Sequence, residues 1–238
     1  LVAKFLAAWA FIAIALGLRI LSWVSGDLKR LSEAALRVGE GQLAWPVGIS
    51  RADEIGQLAS SFETMQHRLQ TDALTGLANR ESFMLRLRSK IAQVAAHASG
   101  SGFAVLFIDL NHFKRVNDRY GHGAGDAVLV EVARRLSDNL RAGDLLARIG
   151  GEEFLVALPE ASLSQAHATA ERLCEVIQQQ PITLPGGASL SATVSIGLAV
   201  SDAAGTARIE AVGDVVDRAD RALLVAKSGG RNKVTISR

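Results

Sequence analysis

The sequence predicts an α+β fold: a central, largely antiparallel sheet flanked by helices, preceded by a membrane-spanning helix and a short helical module. Three observations carry this. From Thr71 onward, apolar runs of strand length alternate with amphipathic helical stretches, and two of the runs flank a tight Gly-Gly turn, so hairpin pairing is mixed with helical crossovers. Residues 28–69 instead repeat their apolar positions at intervals of three and four. Residues 5–18 read FLAAWAFIAIALGL without a polar interruption.

The chain has 238 residues, 49% of them apolar, enough for one full-sized domain and a smaller module. The apolar run is shorter than the roughly 20 residues that a span needs. Lys4 and Arg19 flank it and can snorkel, which extends the span over residues 1–24. A buried core helix is the competing reading; the scarcity of polar residues on every face favours the membrane. No small-residue cleavage site marks a secretory signal. Arg19, Lys29 and Arg30 follow the run and place the remainder in the cytoplasm. Because the chain opens on Leu1 and not on Met, it is expected to be a fragment, with a sensor and an earlier span upstream.

In residues 25–70, Leu28, Leu31, Ala35 and Val38 form one stripe, and Ile55, Leu58, Phe62, Met65 and Leu69 form another. Gly39-Glu40-Gly41 and Trp45-Pro46 break the chain between them. Two short helices with one stripe each cannot close a core alone, so a dimeric, parallel four-helix bundle is expected in preference to a pair packed on the next domain. A helix directly after an apolar span, a connector, and Asp53-Glu54-Ile55-Gly56 opening a second helix resemble a HAMP relay domain. Asp27 departs from that pattern, which has Pro before the first Leu.

In residues 71–238, Asn79 is a helix N-cap ahead of Phe83, Leu87, Ile91 and Val94. Phe103–Leu110 is continuously apolar and so a buried strand. Helices follow near 113–120 and 126–139, then a hairpin of 145–149 with 154–158. Ser162 opens a helix to about Gln179. Residues 190–200 alternate as a half-buried strand, 214–228 form a helix and 234–236 a last strand. The single cysteine, Cys174, fits a reducing compartment and a buried helical position. The net charge of +2 is too balanced to indicate nucleic-acid binding.

Asp109 ends an apolar strand, where an unpaired carboxylate is costly. Glu152 and Glu153 follow Gly150 and Gly151, which allow close backbone approach. If strand end and turn meet, three carboxylates converge and require a cation. Oxygen ligands without His or Cys suit Mg²⁺, with Mn²⁺ as the alternative. A solvated acidic turn and a capping Asp would look the same in either segment alone. Residues 111–126 are rich in amide, carboxylate and cationic groups, and Gly121, Gly123 and Gly125 would let the backbone curve around a phosphate or base.

Taken together, DALTGLANR (72–80), FIDLNHFKRVNDRYGHGAGD (107–126), RIGGEEF (148–154), SIGLA (195–199) and ADRALLVAKSGGRNKV (219–234) resemble the GGDEF-domain diguanylate cyclases over about residues 71–236. Glu152 stands where the family name has Asp, and both supply a carboxylate. The resemblance implies a nucleotide-cyclase, palm-like fold and condensation of two GTP molecules to cyclic di-GMP and pyrophosphate. It implies that Asp109, the Leu110 carbonyl and Glu152 hold the metal, and that Glu152 helps deprotonate the 3′-hydroxyl, with Glu153 beside it. Lys114 would stabilise phosphate charge, Lys227 and Arg231 would grip the β- and γ-phosphates, and Asn117 and Asp126 would read guanine with His122 near the base. Arg141 and Asp144, ahead of the Gly-Gly turn, match the family's RxxD site for inhibitory product, with Arg172 as a second arginine; an ordinary polar turn is the plain alternative. One domain binds one GTP, so a homodimer is implied. A catalytically silent domain that binds cyclic di-GMP or GTP is the alternative function, disfavoured because these side chains are all present.

Overall fold

The computed structural model describes residues 2–40, 45–96, 102–201 and 211–237. Leu1, Gly41 and the side chains of Lys4, Phe5 and Val94, all named above, lie outside the described residues. The chain divides into two compact units, Leu1–Gln70 and Thr71–Arg238.

In the first unit, helix α1 (Val2–Gly39) is continuous, so residue 24, where the span was expected to end, falls inside one rod. Gly26 is the one weak helix former across this junction, and a helix tolerates it. The helix is long and apolar enough to cross a membrane. Helix α2 (Glu54–Gln70) is capped by Asp53, whose Oδ1 accepts from the Gly56 N–H at 3.2 Å. A Cβ on Gly56 would stand 2.0 Å from the Arg51 carbonyl oxygen, so the connector can pass this close only over glycine.

The stripe that α1 buries here differs from the one the spacing suggested. Asp27, Leu31 and Ala34 face inward, with Val38 half-buried, whereas Leu28 and Ala35 are exposed. On α2 the inward set is Ile55, Ala59, Phe62 and Gln66, while Leu58, Met65 and Leu69 are exposed. Val47 and Ile49 of the connector fill the space between the helices. Asp27 begins the inward stripe because Arg51 neutralises it: Nη1 donates to Asp27 Oδ2 at 2.8 Å. The same guanidinium pairs with Asp53 and stacks over the Trp23 ring, 3.8 Å from its centroid.

In the second unit, α3 (Arg80–Ala96) is capped by Asn79, whose Oδ1 accepts from Ser82 N–H at 3.0 Å. Strand β1 (Phe103–Leu110) is followed by α4 (Phe113–Tyr120), α5 (His122–Asp138) and the hairpin of β2 (Leu145–Gly150) with β3 (Glu153–Pro159). Helix α6 (Leu163–Gln179) starts in a capping box made by Ser162 and Gln165. A small hairpin of β4 (Ile182–Thr183) with β5 (Ser189–Leu190) precedes β6 (Val194–Val200), α7 (Ala211–Ser228) and β7 (Val234–Ile236).

The main sheet has the order β2-β3-β1-β6-β7. Its pairs are antiparallel except β6 with β7, as the sequence predicts for a largely antiparallel sheet. One face packs on α4, α5 and α6 through Ile108, Val128, Leu136 and Leu173. The other packs on α3 and α7 through Phe83, Leu87, Phe107 and Leu223. Strand β1, at the centre, is buried along its whole length.

Two expectations are corrected. Residues 190–200 are not one half-buried strand: the chain turns out of β5 before β6 begins, and β6 is buried on both faces. The small residues that alternate along it, Ser195, Gly197 and Ala199, face a helix and not water. A Cβ on Gly197 would lie 2.0 Å from the Ala219 carbonyl oxygen and 2.3 Å from the Leu223 nitrogen, backbone atoms of α7 that cannot swing aside. In addition, Gly123 and Gly125 lie within α5 and form no curved loop; only Gly121, at φ 84°, makes the turn.

Gly197→Ala should therefore force α7 off the sheet, at a cost of about 1–3 kcal/mol. Thermal unfolding of the variant beside the parent is expected to show a midpoint lower by several degrees; an unchanged midpoint would contradict the packing described.

Candidate active site

Register places Asp109 at the end of β1 between Glu153 on β3 and Ser195 on β6. Asp109 is 4% exposed. Its partner is Lys227 in the last turn of α7, with Nζ 2.7 Å from Oδ2. Gly197 enables this contact, since α7 must lie against β6 for its C-terminal end to reach the strand end. The Leu110 N–H donates to the Glu152 carbonyl at 3.2 Å, which ties the strand end to the Gly-Gly turn.

Burial pushes the Asp109 carboxyl above its ordinary value, against the pull of the Lys227 and Arg231 charges. Burial also raises Glu152, with the Asp109 charge adding to the shift. Glu153 is raised by burial and by Asp109, opposed by Lys227; Asp220 raises it further and Arg80 lowers it. The site is thus a cluster of carboxylates destabilised in their charged form.

Arg148 holds the turn in place. Its Nε and Nη2 donate to the Gly151 carbonyl at 3.0 and 2.7 Å, and Nη1 reaches Asp72 Oδ1 at 2.9 Å. Asp72 Oδ1 also accepts from the Thr75 N–H at 2.8 Å. The sequence reading gave Arg148, Asp72, Arg80, Asp220 and Ser195 no role. The signal was their membership of the quoted motifs, but nothing in spacing says which carboxylate a distant arginine will meet.

Asn117 on α4 and Asp126 on α5 flank the turn at Gly121. Asn117 Oδ1 is buried and, among the described residues, is a side-chain polar atom without a hydrogen-bond partner. A Cβ on Gly125 would stand 1.9 Å from this oxygen, so the glycine makes room for it. Asp126, His122 and Lys114 are exposed nearby in sequence, the last two in the first turns of α5 and α4. Arg231 has a left-handed backbone, φ 62°, in the loop between α7 and β7.

Arg141 and Asp144 close a tight turn, in which Asp144 Oδ2 accepts from the Arg141 N–H at 2.8 Å and leaves the Arg141 side chain exposed. Arg172 on α6 donates to the Asn139 carbonyl at 3.1 Å, which sets it beside the segment leading to Arg141. Cys174 is buried, and burial pushes its thiol up to about 12, so it is inert.

The expected three-carboxylate cage needs correction. Among the described residues no three Asp, Glu, His or Cys side chains are grouped as metal ligands. The donor set still fits a hard cation: Asp109 and Glu152 are oxygen donors whose charges repel one another, and a cation there would take the place that the Lys227 ammonium holds on Asp109. Mg²⁺ commonly takes one or two carboxylates and completes its shell with phosphate oxygens and water.

Known proteins resemble this chain in sequence and in fold. The family described as "Diguanylate cyclase, GGDEF domain" matches residues 69–233, and the HAMP domain family matches residues 19–71. Diguanylate cyclase DgcP of Pseudomonas aeruginosa is 37% identical over 193 residues, covering 79% of this chain and 28% of that protein. The chain spans half or less of the length of such curated relatives. The solved GGDEF domain of TpbB (YfiN) from Pseudomonas aeruginosa superposes with a TM-score of 0.63 at 38% identity, covering 71% of this chain and 94% of that one. The coiled coil and GGDEF domain of DgcB from Caulobacter crescentus, solved in complex with c-di-GMP, gives 0.69 at 30% identity, covering 77% and 93%.

Because the three carboxyls are raised in the fold, the stability they contribute is full below the ordinary carboxylate range and is lost as pH rises through their raised values. Glu152→Gln should therefore raise the melting temperature of the metal-free chain at pH 7, with the gain shrinking toward pH 4. Mg²⁺ should stabilise the parent more than the variant. A variant less stable than its parent at pH 7 would refute the repulsion.

Proposed function

The chain belongs to the GGDEF-domain diguanylate cyclase family, and we propose that it condenses two GTP molecules into cyclic di-GMP with release of two pyrophosphates. The observation that carries the proposal is the meeting of Asp109, Glu152 and Lys227 where β1, the Gly-Gly turn and α7 converge. In each half-reaction a 3′-oxygen forms a bond to the α-phosphorus of the other nucleotide. The α–β anhydride bond breaks, pyrophosphate leaves and the hydroxyl proton goes to a base. A bound Mg²⁺ would neutralise phosphate charge and acidify the attacking hydroxyl.

Asp109, the Leu110 carbonyl and Glu152 are the groups that would hold that ion. Glu152, raised above the ordinary carboxylate value, is the best base for the hydroxyl proton, and Glu153 lies beside it. Lys227 and Arg231 grip the β- and γ-phosphates, and Lys114 stabilises the transferring group. Asp126 accepts from the N1–H and the exocyclic amine of guanine, a pair of adjacent donors that adenine lacks, and Asn117 and His122 stand near the base. The carboxylate of Asp126 is what favours GTP over ATP.

A single domain offers one nucleotide site, and two must face each other. The exposed Leu28, Leu58, Met65 and Leu69 supply an apolar seam for a homodimer through the HAMP region. With α1 as an inner-membrane anchor, the bundle's packing would control whether half-sites meet in the cytoplasm. Arg141, Asp144 and Arg172 would bind cyclic di-GMP as inhibitory product.

Purified chain with GTP and Mg²⁺ is expected to form cyclic di-GMP, and Glu152→Ala to lose at least about 100-fold in turnover. A folded, dimeric parent that binds guanine nucleotide but makes no product would instead indicate a silent binding domain. Arg141→Ala should leave the initial rate nearly unchanged while relieving inhibition by added cyclic di-GMP; undiminished inhibition would remove that site.

A further inference from the structure

Ser195 has no part in the chemistry above, yet its surroundings are specific. It is fully buried on β6, in register with Asp109. A hydroxyl in such a place must be satisfied on both sides. Its O–H donates to Asn111 Oδ1 at 2.7 Å, and its oxygen accepts from the Asn232 N–H at 3.2 Å. These two partners belong to different parts of the site. Asn111 directly follows Leu110 and is fixed by bonds to Thr193, from Nδ2 to Oγ1 at 3.0 Å and from N–H to the carbonyl at 2.9 Å. Asn232 lies in the loop that carries Arg231.

That loop is strained. Arg231 and Asn232 have φ of 62° and 47°, two successive non-glycine residues in the left-handed region. Side chains disfavour it, and such conformations persist where neighbours over-determine them. Bonds from both backbone and side chains tie this loop to its surroundings, and within it the Lys233 ammonium donates to the Gly229 carbonyl. Arg231 N–H donates to Ala226 at 3.0 Å, the Lys233 carbonyl accepts from Ile196 N–H at 3.0 Å, and Asn232 donates to Ser195 and, through Nδ2, to Gln178 at 3.1 Å. Of the side-chain partners, Ser195 is the fully buried one, and it alone reaches across to the strand end.

We infer that Ser195 is a positioning residue: its hydroxyl joins the left-handed Arg231–Asn232 loop to the Asp109–Asn111 strand end and so fixes Arg231 relative to the carboxylates. This rests on the reading of Lys227 and Arg231 as phosphate ligands. The consequence is selective. Guanine is read by Asn117 and Asp126 on α4 and α5, which Ser195 does not touch, so removing the hydroxyl weakens the hold on the phosphate tail and spares the hold on the base.

The test is calorimetric binding of GTP, inorganic tripolyphosphate and guanosine to the full chain in detergent. Ser195→Ala is expected to lose about tenfold in affinity for GTP and tripolyphosphate, the loss of roughly one hydrogen bond, with guanosine unchanged. Should Ser195→Ala not fold, Ser195→Cys fills similar space with a poorer hydrogen-bonding group and reads the same split. Equal loss for guanosine and tripolyphosphate, or unchanged affinity for both, would overturn the inference, and the cyclase reading would survive if the parent makes product. A parent that makes no cyclic di-GMP but shows the split keeps the inference and loses the cyclase reading. A parent that binds no tripolyphosphate overturns the inference with the phosphate assignments on which it rests.

Discussion

The ion pair between Asp109 and Lys227 organises the second unit. A carboxylate at the end of a strand buried on both faces needs a counter-charge, and the 2.7 Å contact with the Lys227 ammonium supplies it. That requirement passes back into the fold. The ammonium arrives from the last turn of α7, so α7 must run across β6 at close range, and the missing Cβ of Gly197 admits it. The same approach sets where the loop after α7 begins, and with it Arg231. A small residue in the middle of a strand and a charge at the end of a helix are thus two parts of one constraint.

The sequence was legible where local chemistry decides the outcome. The Gly-Gly turn, the buried run at 103–110 and the cap at Asn79 each depend on neighbours a few residues away, and all appear as expected. It was less legible where a distant element decides. The alternation of small residues along 195–199 looks like a solvent-facing edge, because sequence cannot tell a face that is small for water from a face that is small for a helix. The glycine-rich 121–125 looked like a phosphate loop; Gly125 instead clears space for the Asn117 oxygen inside a helix pair. Arg148 could be seen as part of a motif, but its reach to Asp72, 76 residues away, could not.

In the first unit the departure at Asp27 has a physical account. The position heads the inward stripe of α1, and a carboxylate there would be unfavourable alone. Arg51 meets it from the connector while also pairing with Asp53 and covering Trp23. One guanidinium therefore ties the connector to α1 and to the residue that caps α2. This replaces the stiffness of a proline, which acts on the helix backbone, with a side-chain tie between segments. The apolar residues this arrangement leaves outside, Leu28, Leu58, Met65 and Leu69, are of the kind that a second copy would cover.

The residues assigned to the base and to the phosphates come from separate pieces of chain. Asn117 and Asp126 sit on the helix pair after β1, while Lys227 and Arg231 sit on α7 and its loop. What the two groups share is the end of β1: α4 starts three residues beyond Leu110, and Lys227 and Ser195 bond to Asp109 and Asn111 from the other side. Recognition and chemistry can then vary independently as long as that strand end is kept rigid. Its rigidity is provided by polar bonds among buried and half-buried groups, since apolar packing cannot fix the direction of a carboxylate. The charged cluster is itself unfavourable in the fold, as the raised carboxyls show, and the arrangement is sustained by the two cores packed on either face of the sheet. A site of this kind is held ready by structure elsewhere, and the Lys227 ammonium is the favourable partner that its buried carboxylate already has.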